Sequence, residues 1–367
     1  MENRELLKRA FSEKLTQLRG VLDKPLVLLF IRAPNPNMKM FLLDAHLTRP
    51  SAIIFRPDKE PVVLVGSIEH ASLEPISEMC ELRITEGGLD EVTDEIRGLV
   101  KGEEVYVEYC PGIPALDRLL HSIHQNISEF AHPVSGKNII GELRIYKTKS
   151  EVDFIERACS TTVEILDEVG EFIRPGMWRD EILSFILKEI AERGHRPSFE
   201  PIVAYGDEAS EPHPIPVASR PLNEGDLLIV DMGVWHYGYA SDLTRTYLVG
   251  GDVREHPFYE KWFQLENYLR RKNLKGVLPK EVCKGLNKLS KELDVLKYQK
   301  HSYSHGLGVE VHDVYPYVSA KSVAFDDLPF DDNMIFTFEP GFYGEFGGFR
   351  FEFDYCIREG RAINLCE

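Results

Sequence analysis

In the segment Leu227–Val234, LLIVDMGV, a single aspartate, Asp231, interrupts what would otherwise be a wholly apolar strand. Aspartate is depleted in strands, and an ionised carboxylate in a buried strand is costly unless it is paired or bound to a metal. Any fold that buries this strand must therefore bring a positive group to it. The chain continues as WHYGYASDLTRTYLV. Apolar stretches on both sides of HYGY, with Gly238 free to take φ > 0, predict two antiparallel strands joined by a turn. Asp242 follows Asp231 by eleven residues, on the return strand, on one face with Thr244 and Thr246. Two inward carboxylates on facing strands repel each other unless a cation lies between them. At this point a simpler alternative stays open: the two aspartates cap turns or pair with Arg245.

Three further segments repeat the pattern. HSYSHGLGVEVHDVYPY (His301–Tyr317) sets His305 beside glycines that let the backbone approach a neighbour closely, and His312 follows seven residues later. A lone histidine of this kind is more often a structural residue than a ligand. MIFTFEPGFY (Met334–Tyr343) ends an apolar strand on Glu339, just before Pro340-Gly341. GGFRFEFDYCI (Gly347–Ile357) alternates Glu352 between Phe351 and Phe353; Asp354 shares its parity, so strand periodicity alone does not choose between them. Each motif is weak by itself. Together they offer four carboxylates and one imidazole, a donor set suited to divalent Mn, Co, Fe or Zn. Four carboxylates with one nitrogen are what a pair of metals sharing a water would need.

A chain of 367 residues exceeds one ordinary hydrophobic core, so two domains are expected. Before about residue 145, short apolar runs at Leu26–Ile31, Met40–Leu43, Ala52–Phe55, Pro61–Val65 and Val105–Val107 alternate with amphipathic patterns at Leu89–Val100 and Ile113–His124. That half reads as α/β, a mixed sheet flanked by helices, with no catalytic constellation. Ser135–Glu142, with Gly136 and Gly141, reads as a linker. Ser150 then reads as the N-cap of a helix whose apolar stripe is Val152, Ile155, Cys159, Val163, Leu166 and Val169. A second helix spans Arg179–Arg193, and the strand-rich remainder holds helices at Pro257–Leu274 and Lys280–Leu293.

Formal net charge is −17, a field that repels phosphate backbones and argues against nucleic acid as a partner. The opening MENRELLKRAF has no apolar h-region, and LVLLFI is far short of the ~20 residues needed to span a bilayer. A cytoplasmic protein with no membrane partner is expected. Six cysteines scattered without a C-x-x-C fit free thiols in a reducing compartment.

The segments IVDMG…SDLTRT, SHGLGVEVHD, FTFEPGFY and FRFEFD, in this order, resemble the pita-bread metallopeptidases: prolidase, aminopeptidase P, methionine aminopeptidase and the metal-free relative creatinase. The likeness is greatest to the Xaa-Pro dipeptidase branch. It implies an α+β fold, with a pita-bread catalytic domain at 145–367 preceded by a smaller α/β creatinase-type domain at 1–140. It implies two divalent metal ions, Mn, Co, Zn or Fe, on Asp231, Asp242, His305, Glu339 and Glu352, which selects Glu352 over Asp354. Glu339 would act as general acid–base. His213, in EASEPHP, and His312 would contact the substrate and its tetrahedral intermediate, and Arg350 would orient a carboxylate or bind substrate. The implied activity is hydrolysis of Xaa-Pro bonds, with a peptide bearing proline second as substrate, by a homodimer. The alternative within the family is an aminopeptidase P-like enzyme acting on longer peptides. More distant are a metal-free creatinase-type hydrolase and a non-catalytic binding scaffold. Two departures stand out. Ser304 replaces a glycine common before the histidine. No arginine lies between His312 and Glu339, where many prolidases place one for the dipeptide's carboxylate, so Lys321 is the available cation.

Overall fold

The computed structural model describes residues 2–30, 36–43, 45, 47–86, 88–109, 125–134, 139–214, 220–320, 325 and 327–367. The chain divides into two compact units, residues 1–143 with 148–150 and residues 144–147 with 151–367. No described helix is long and apolar enough to cross a membrane.

The first unit is a mixed six-stranded sheet with helices. In chain order it runs α1 (Glu2–Arg19), β1 (Leu26–Phe30), α2 (Pro36–Leu42), β2 (Ser51–Phe55), β3 (Val62–Gly66), α3 (His70–Leu73), β4 (Glu81–Thr85), α4 (Leu89–Val100), β5 (Glu104–Tyr109) and β6 (His132–Pro133). The strand order is β4-β3-β2-β1-β5-β6. Strands β1, β2 and β3 are buried at every position, which explains their unbroken apolar runs. Val92, Ile96 and Val100 recur at helical spacing along α4 and share a core with Val27, Leu29, Ile54 and Leu64. One apolar run departs from the strand reading. Met40–Leu43 falls at the end of α2, because Pro36 opens a helix there and a four-residue run carries no period of its own. The expected helix Ile113–His124 lies outside the described residues, as do Cys110, Gly136 and Lys321. Of the expected linker Ser135–Glu142, residues 135–138 lie outside the described residues, and from Ile139 the chain forms helix α5 (Ile139–Ile145).

The second unit opens with α6 (Lys149–Phe172) and α7 (Arg179–Glu192). Along α6, Val152, Ile155, Cys159, Leu166 and Val169 are buried, while Val163 is half-buried. Ser150 is not the cap: α6 starts one residue earlier, and the Ser150 N–H donates to Glu13 Oε2 at 2.8 Å. The strands form small antiparallel sheets. One joins β8 (Ile202–Tyr205), β9 (Leu227–Met232) and β12 (Leu243–Leu248), with β9 central. Another joins β13 (Ile335–Phe338), β16 (Phe353–Arg358) and β17 (Arg361–Asn364), and β14 (Gly341–Gly344) pairs with β15 (Gly347–Arg350). A third links β7 (Arg196–Pro197), β10 (Val234–His236) and β11 (Tyr239–Ala240). Helices α8 (Pro257–Arg271) and α9 (Pro279–Glu292) set Trp262, Leu269, Val282 and Leu286 into a core with Phe336, Phe338 and Tyr355. The turn expected at HYGY is present, with Gly238 at φ 84°.

Glu108 on β5 is a carboxylate turned into the first unit. Its oxygens accept the Ile140 N–H at 3.2 and 3.3 Å, yet burial pushes its carboxyl up to about 7. The folded state therefore holds this proton more tightly than the unfolded chain. Glu108 favours folding below its unfolded value near 4.5 and loses that contribution as pH rises through about 7. Glu108→Gln is expected to raise the melting temperature relative to wild type at pH 8, with little difference at pH 4, as thermal unfolding at the two pH values would read.

Candidate metal centre

Asp231 lies on the central strand β9, opposite Ile202 on β8 and Thr244 on β12. Asp242 immediately precedes β12, and its N–H donates to Asp354 Oδ2 at 3.1 Å. Gly233, two residues after Asp231, admits no side chain: a Cβ there would sit 1.8 Å from the Ser241 carbonyl oxygen. That close approach lets the strand connections cross beside both aspartates. Glu352 is not inside a strand. It occupies the break between β15 and β16, where its N–H still donates to the Thr244 carbonyl at 3.1 Å. The break lets Glu352 share the cavity with Asp231 and Asp242, while Asp354 turns to Asp242 N–H and the Cys159 thiol.

His305 reaches the same place from a segment that runs beside β13. Thr337 N–H donates to the His305 carbonyl and Glu339 N–H to the Tyr303 carbonyl, both at 2.9 Å. Gly306 is needed for this approach, because a Cβ would lie 2.5 Å from the Tyr315 carbonyl oxygen. His305 Nε2 then stands 3.4 Å from Asp242 Oδ2, 3.6 Å from Glu339 Oε1 and 4.0 Å from Glu352 Oε1. Asp242, His305 and Glu352 each offer a ligand atom within 4.8 Å of the others. All eight residues singled out in the sequence (His213, Asp231, Asp242, His305, His312, Glu339, Arg350 and Glu352) line one cavity of about 410 Å³.

The donor set fits divalent cations on three grounds. First, His305 Nδ1 lies 3.0 Å from the Gly306 carbonyl, which can only accept, so Nδ1 carries a proton and Nε2 is the ring atom left facing the carboxylates, where a metal ligand is needed. Second, Asp231 Oδ1 and Glu352 Oε1 are buried and meet no hydrogen-bond donor among the described residues. Third, the carboxylates disfavour each other's ionisation. Burial, then Asp231, Asp354 and Glu339, pushes the Asp242 carboxyl well above the usual range. Glu352 is driven up by burial and then by Asp242, and Glu339 chiefly by burial. Carboxylate oxygens buried facing one another are what a cation relieves.

Of the two roles open to Arg350, the geometry favours orientation. Arg350 is 3% exposed. Its Nη2 donates to Asp231 Oδ2 at 2.5 Å, Nη1 to the Tyr343 hydroxyl at 2.7 Å and Nε to Thr244 Oγ1 at 3.0 Å. Thr244 in turn donates to Glu352 Oε2 at 2.7 Å. Two members of this network escaped the sequence reading. Tyr343 also lies 2.9 Å from His301 Nε2, and His301 Nδ1 stands 3.5 Å from Glu339 Oε2. Burial, then Arg350, pulls His301 down to about 4, so it is a neutral acceptor for the Tyr343 hydroxyl. The signal was a second histidine four residues before His305, on a segment already marked. His312 packs its ring 4.0 Å from that of His305 and is also lowered to about 4, mainly by burial. His213 is exposed on the cavity lining.

Comparison with known proteins identifies the family and the fold. Residues 153–359 match metallopeptidase family M24. The Xaa-Pro dipeptidase of Pyrococcus furiosus is 30% identical over 278 residues, 74% of this chain and 76% of that protein. A putative Xaa-Pro aminopeptidase of Mycoplasma genitalium is 30% identical over 232 residues, 61% and 63% of the two chains. Among solved structures, the prolidase from Pyrococcus horikoshii OT3 superposes with a TM-score of 0.76 at 23% identity, covering 97% of this chain and 98% of that one. The X-Pro aminopeptidase from Thermotoga maritima MSB8 gives 0.77 at 22%, covering 96% and 97%. The shared architecture is the α+β pita-bread fold behind a smaller α/β domain.

Thr244→Val keeps the side-chain shape but leaves Glu352 Oε2 and Arg350 Nε each short of a buried partner. The expected cost is about 1–3 kcal/mol, read as a lower urea midpoint in the presence of chelator.

Proposed function

The chain belongs to metallopeptidase family M24, and from that premise we propose that it hydrolyses Xaa-Pro dipeptides using two divalent metal ions. Asp231, Asp242, His305, Glu339 and Glu352 are the residues that would hold them. The observation that supports this reading is His305 Nε2 set among the carboxylate oxygens of Asp242, Glu339 and Glu352, with Glu352 Oε1 and the nearby Asp231 Oδ1 meeting no donor among the described residues. The preference for proline rests on the curated relatives, among them the Xaa-Pro dipeptidase of Pyrococcus furiosus. A proline-bearing bond is a reasonable target for a dedicated enzyme, since its tertiary amide has no N–H for an ordinary protease to bind.

Divalent cations held by these residues would supply Lewis acidity, the chemistry that polarises a scissile carbonyl and lowers the pKa of water toward neutral. Glu339 accepts the proton of the attacking water and delivers it to the leaving imino nitrogen, a general acid–base role. Its position at the end of β13, held by Tyr303, fixes its carboxylate at the cavity wall. His312 and His213 line the same cavity and donate N–H hydrogen bonds to the oxygen that gains charge in the tetrahedral intermediate. His312, lowered to about 4, is neutral at the working pH, so it contributes a dipole rather than a full charge. Arg350 holds Asp231 in place through its short ion pair and meets the substrate only as a cavity wall.

One observation favours a second reading, an aminopeptidase acting on longer Xaa-Pro peptides. Among the described residues lining the cavity the sole lysine or arginine is Arg350, whose three nitrogens already donate to protein oxygens. A dipeptide's terminal carboxylate therefore meets no other such cation on the described wall.

Two measurements test the proposal. With Mn or Co supplied, an Xaa-Pro dipeptide should turn over faster than the matching Xaa-Pro-Xbb tripeptide; the reverse order would select the second reading. Asp242→Ala should lower turnover at least ~100-fold and reduce bound metal, and full turnover with both metals retained would refute the ligand assignment.

A further inference from the structure

Two cysteines from distant parts of the second unit meet at Asp354, outside the cavity lining. Cys159, wholly buried on α6, donates its thiol to Asp354 Oδ2 at 3.1 Å. Cys366, in the turn that follows β17, sets its Sγ 3.4 Å from the Asp354 N–H and 4.0 Å from the Asp354 carbonyl oxygen. Both sulfurs and a carboxylate oxygen of Asp354 lie within 4.8 Å of one another. Cys159 is buried, whereas Cys366 is partly exposed.

We propose that Cys159 and Cys366 form a redox pair that closes to a disulfide when the protein meets a peroxide. A disulfide needs its sulfurs ~2.05 Å apart, so they must approach by less than ~3 Å. A rotamer change at Cys366 moves its sulfur by roughly that much, and Cys366 sits in a turn, free of the strand ladder. The two positions differ in reactivity. Burial pushes the Cys159 thiol well above its ordinary range, which makes it inert to solvent oxidants, and Cys366 is the sulfur a peroxide can reach.

The chemistry balances with one peroxide. The Cys366 sulfur takes one peroxide oxygen as the O–O bond breaks, giving a sulfenic acid and one water. The Cys159 sulfur then attacks the Cys366 sulfur; the S–S bond forms, the S–O bond breaks, and the Cys159 proton leaves with the hydroxide as a second water. Two thiols are oxidised and one peroxide is reduced.

Closure has a consequence at the metal centre. Asp354 Oδ2 accepts from both Cys159 Sγ and the Asp242 N–H, so oxidation removes one of two donors from a buried carboxylate that holds the Asp242 backbone. This consequence rests on reading Asp242 as a metal ligand; formation of the bridge does not.

The test treats the metal-loaded full chain with hydrogen peroxide and maps thiols after denaturation. The expected result is a peptide containing Cys159 linked to one containing Cys366, a thiol count lower by two, and reversal by dithiothreitol. Cys366→Ser should abolish the link and leave basal peptidase activity unchanged; Cys159→Ala, examined in parallel, should abolish it as well. Free thiols at both positions, a Cys366 that ends as sulfinic acid, or a Cys366 linked elsewhere overturns the proposal. So does protection of both thiols by a cation bound among Cys159, Asp354 and Cys366. Calorimetric Mn affinity should be several-fold weaker for the oxidised protein, and an unchanged affinity with the bridge formed overturns the coupling.

Discussion

Carboxylates converging on one buried cavity wall are the constraint from which the rest of the second unit follows. Asp242, Glu339 and Glu352 all have their ionisation opposed by burial; Asp231 raises Asp242 further, and Asp242 in turn raises Glu352. At the ε ≈ 20 that suits sites of this kind, two like charges ~4 Å apart repel by about 4 kcal/mol. A fold a few kcal/mol to about fifteen stable does not absorb several such terms. It must hold positive charge against them or keep protons on them. Arg350 provides one fixed positive group, against Asp231, and oxygens of Asp242, Glu339 and Glu352 are arranged around His305 Nε2.

The small antiparallel sheets answer this constraint with local devices. Each acidic group sits where a strand begins, ends or breaks, apart from Asp231 on central β9. That exception is the carboxylate with a buried arginine on it, and the pairing explains how a charged residue survives in a central strand. The threonines of β12 form the second device. Thr244 bridges Glu352 and Arg350, and Thr246 both accepts from the Arg350 N–H and donates to its carbonyl. Alternation along β12 thus places two hydroxyls on the charged face and leaves Leu243 buried. Glycine provides the third, since Gly233 and Gly306 lie where a Cβ would overlap a neighbouring carbonyl.

Much of this was legible because it depends on residue types that apolar strands reject. Asp231 in LLIVDMGV and Glu339 before Pro340-Gly341 announce themselves by violating the pattern around them. Glu352 could be named from periodicity only jointly with Asp354, since both share a face in a continuous strand. The structure shows why the ambiguity arises. The strand is interrupted at Glu352, and such a break leaves no compositional trace between Phe351 and Phe353. His301 and Tyr343 were missed for a different reason. Their importance lies in contacts that no local spacing encodes: His301 meets Tyr343 and Glu339 about forty residues on, and Tyr343 meets Arg350 only because β14 folds back on β15. In the first unit Met40–Leu43 misled because a four-residue apolar run suits a buried helix end as well as a strand. The sheet itself was plain from its short apolar runs, whereas strand order depends on pairing energies distributed over the whole unit.

Arg350 also limits what kind of specificity the cavity can have. A guanidinium that holds Asp231, Tyr343 and Thr244 at once is pinned in direction, and its fork is oriented by protein oxygens before any peptide arrives. Lysine could not replace it, because an ammonium on a flexible stem reproduces the charge without the fixed geometry. Through Tyr343 the same arginine reaches His301, whose hydrogen bonds are ordered in one sense: Arg350 to the Tyr343 oxygen, Tyr343 to His301 Nε2, His301 Nδ1 to the Ser302 carbonyl. That chain fixes His301 as neutral beside Glu339, so the proton that Glu339 handles in the proposed reaction is not shared with a competing imidazolium. A network built to position two carboxylates is thereby removed from substrate recognition. Under the proposed function, discrimination between a dipeptide and a longer chain then falls to lining groups outside that network, Phe199, Glu200 and Tyr317 among the described residues.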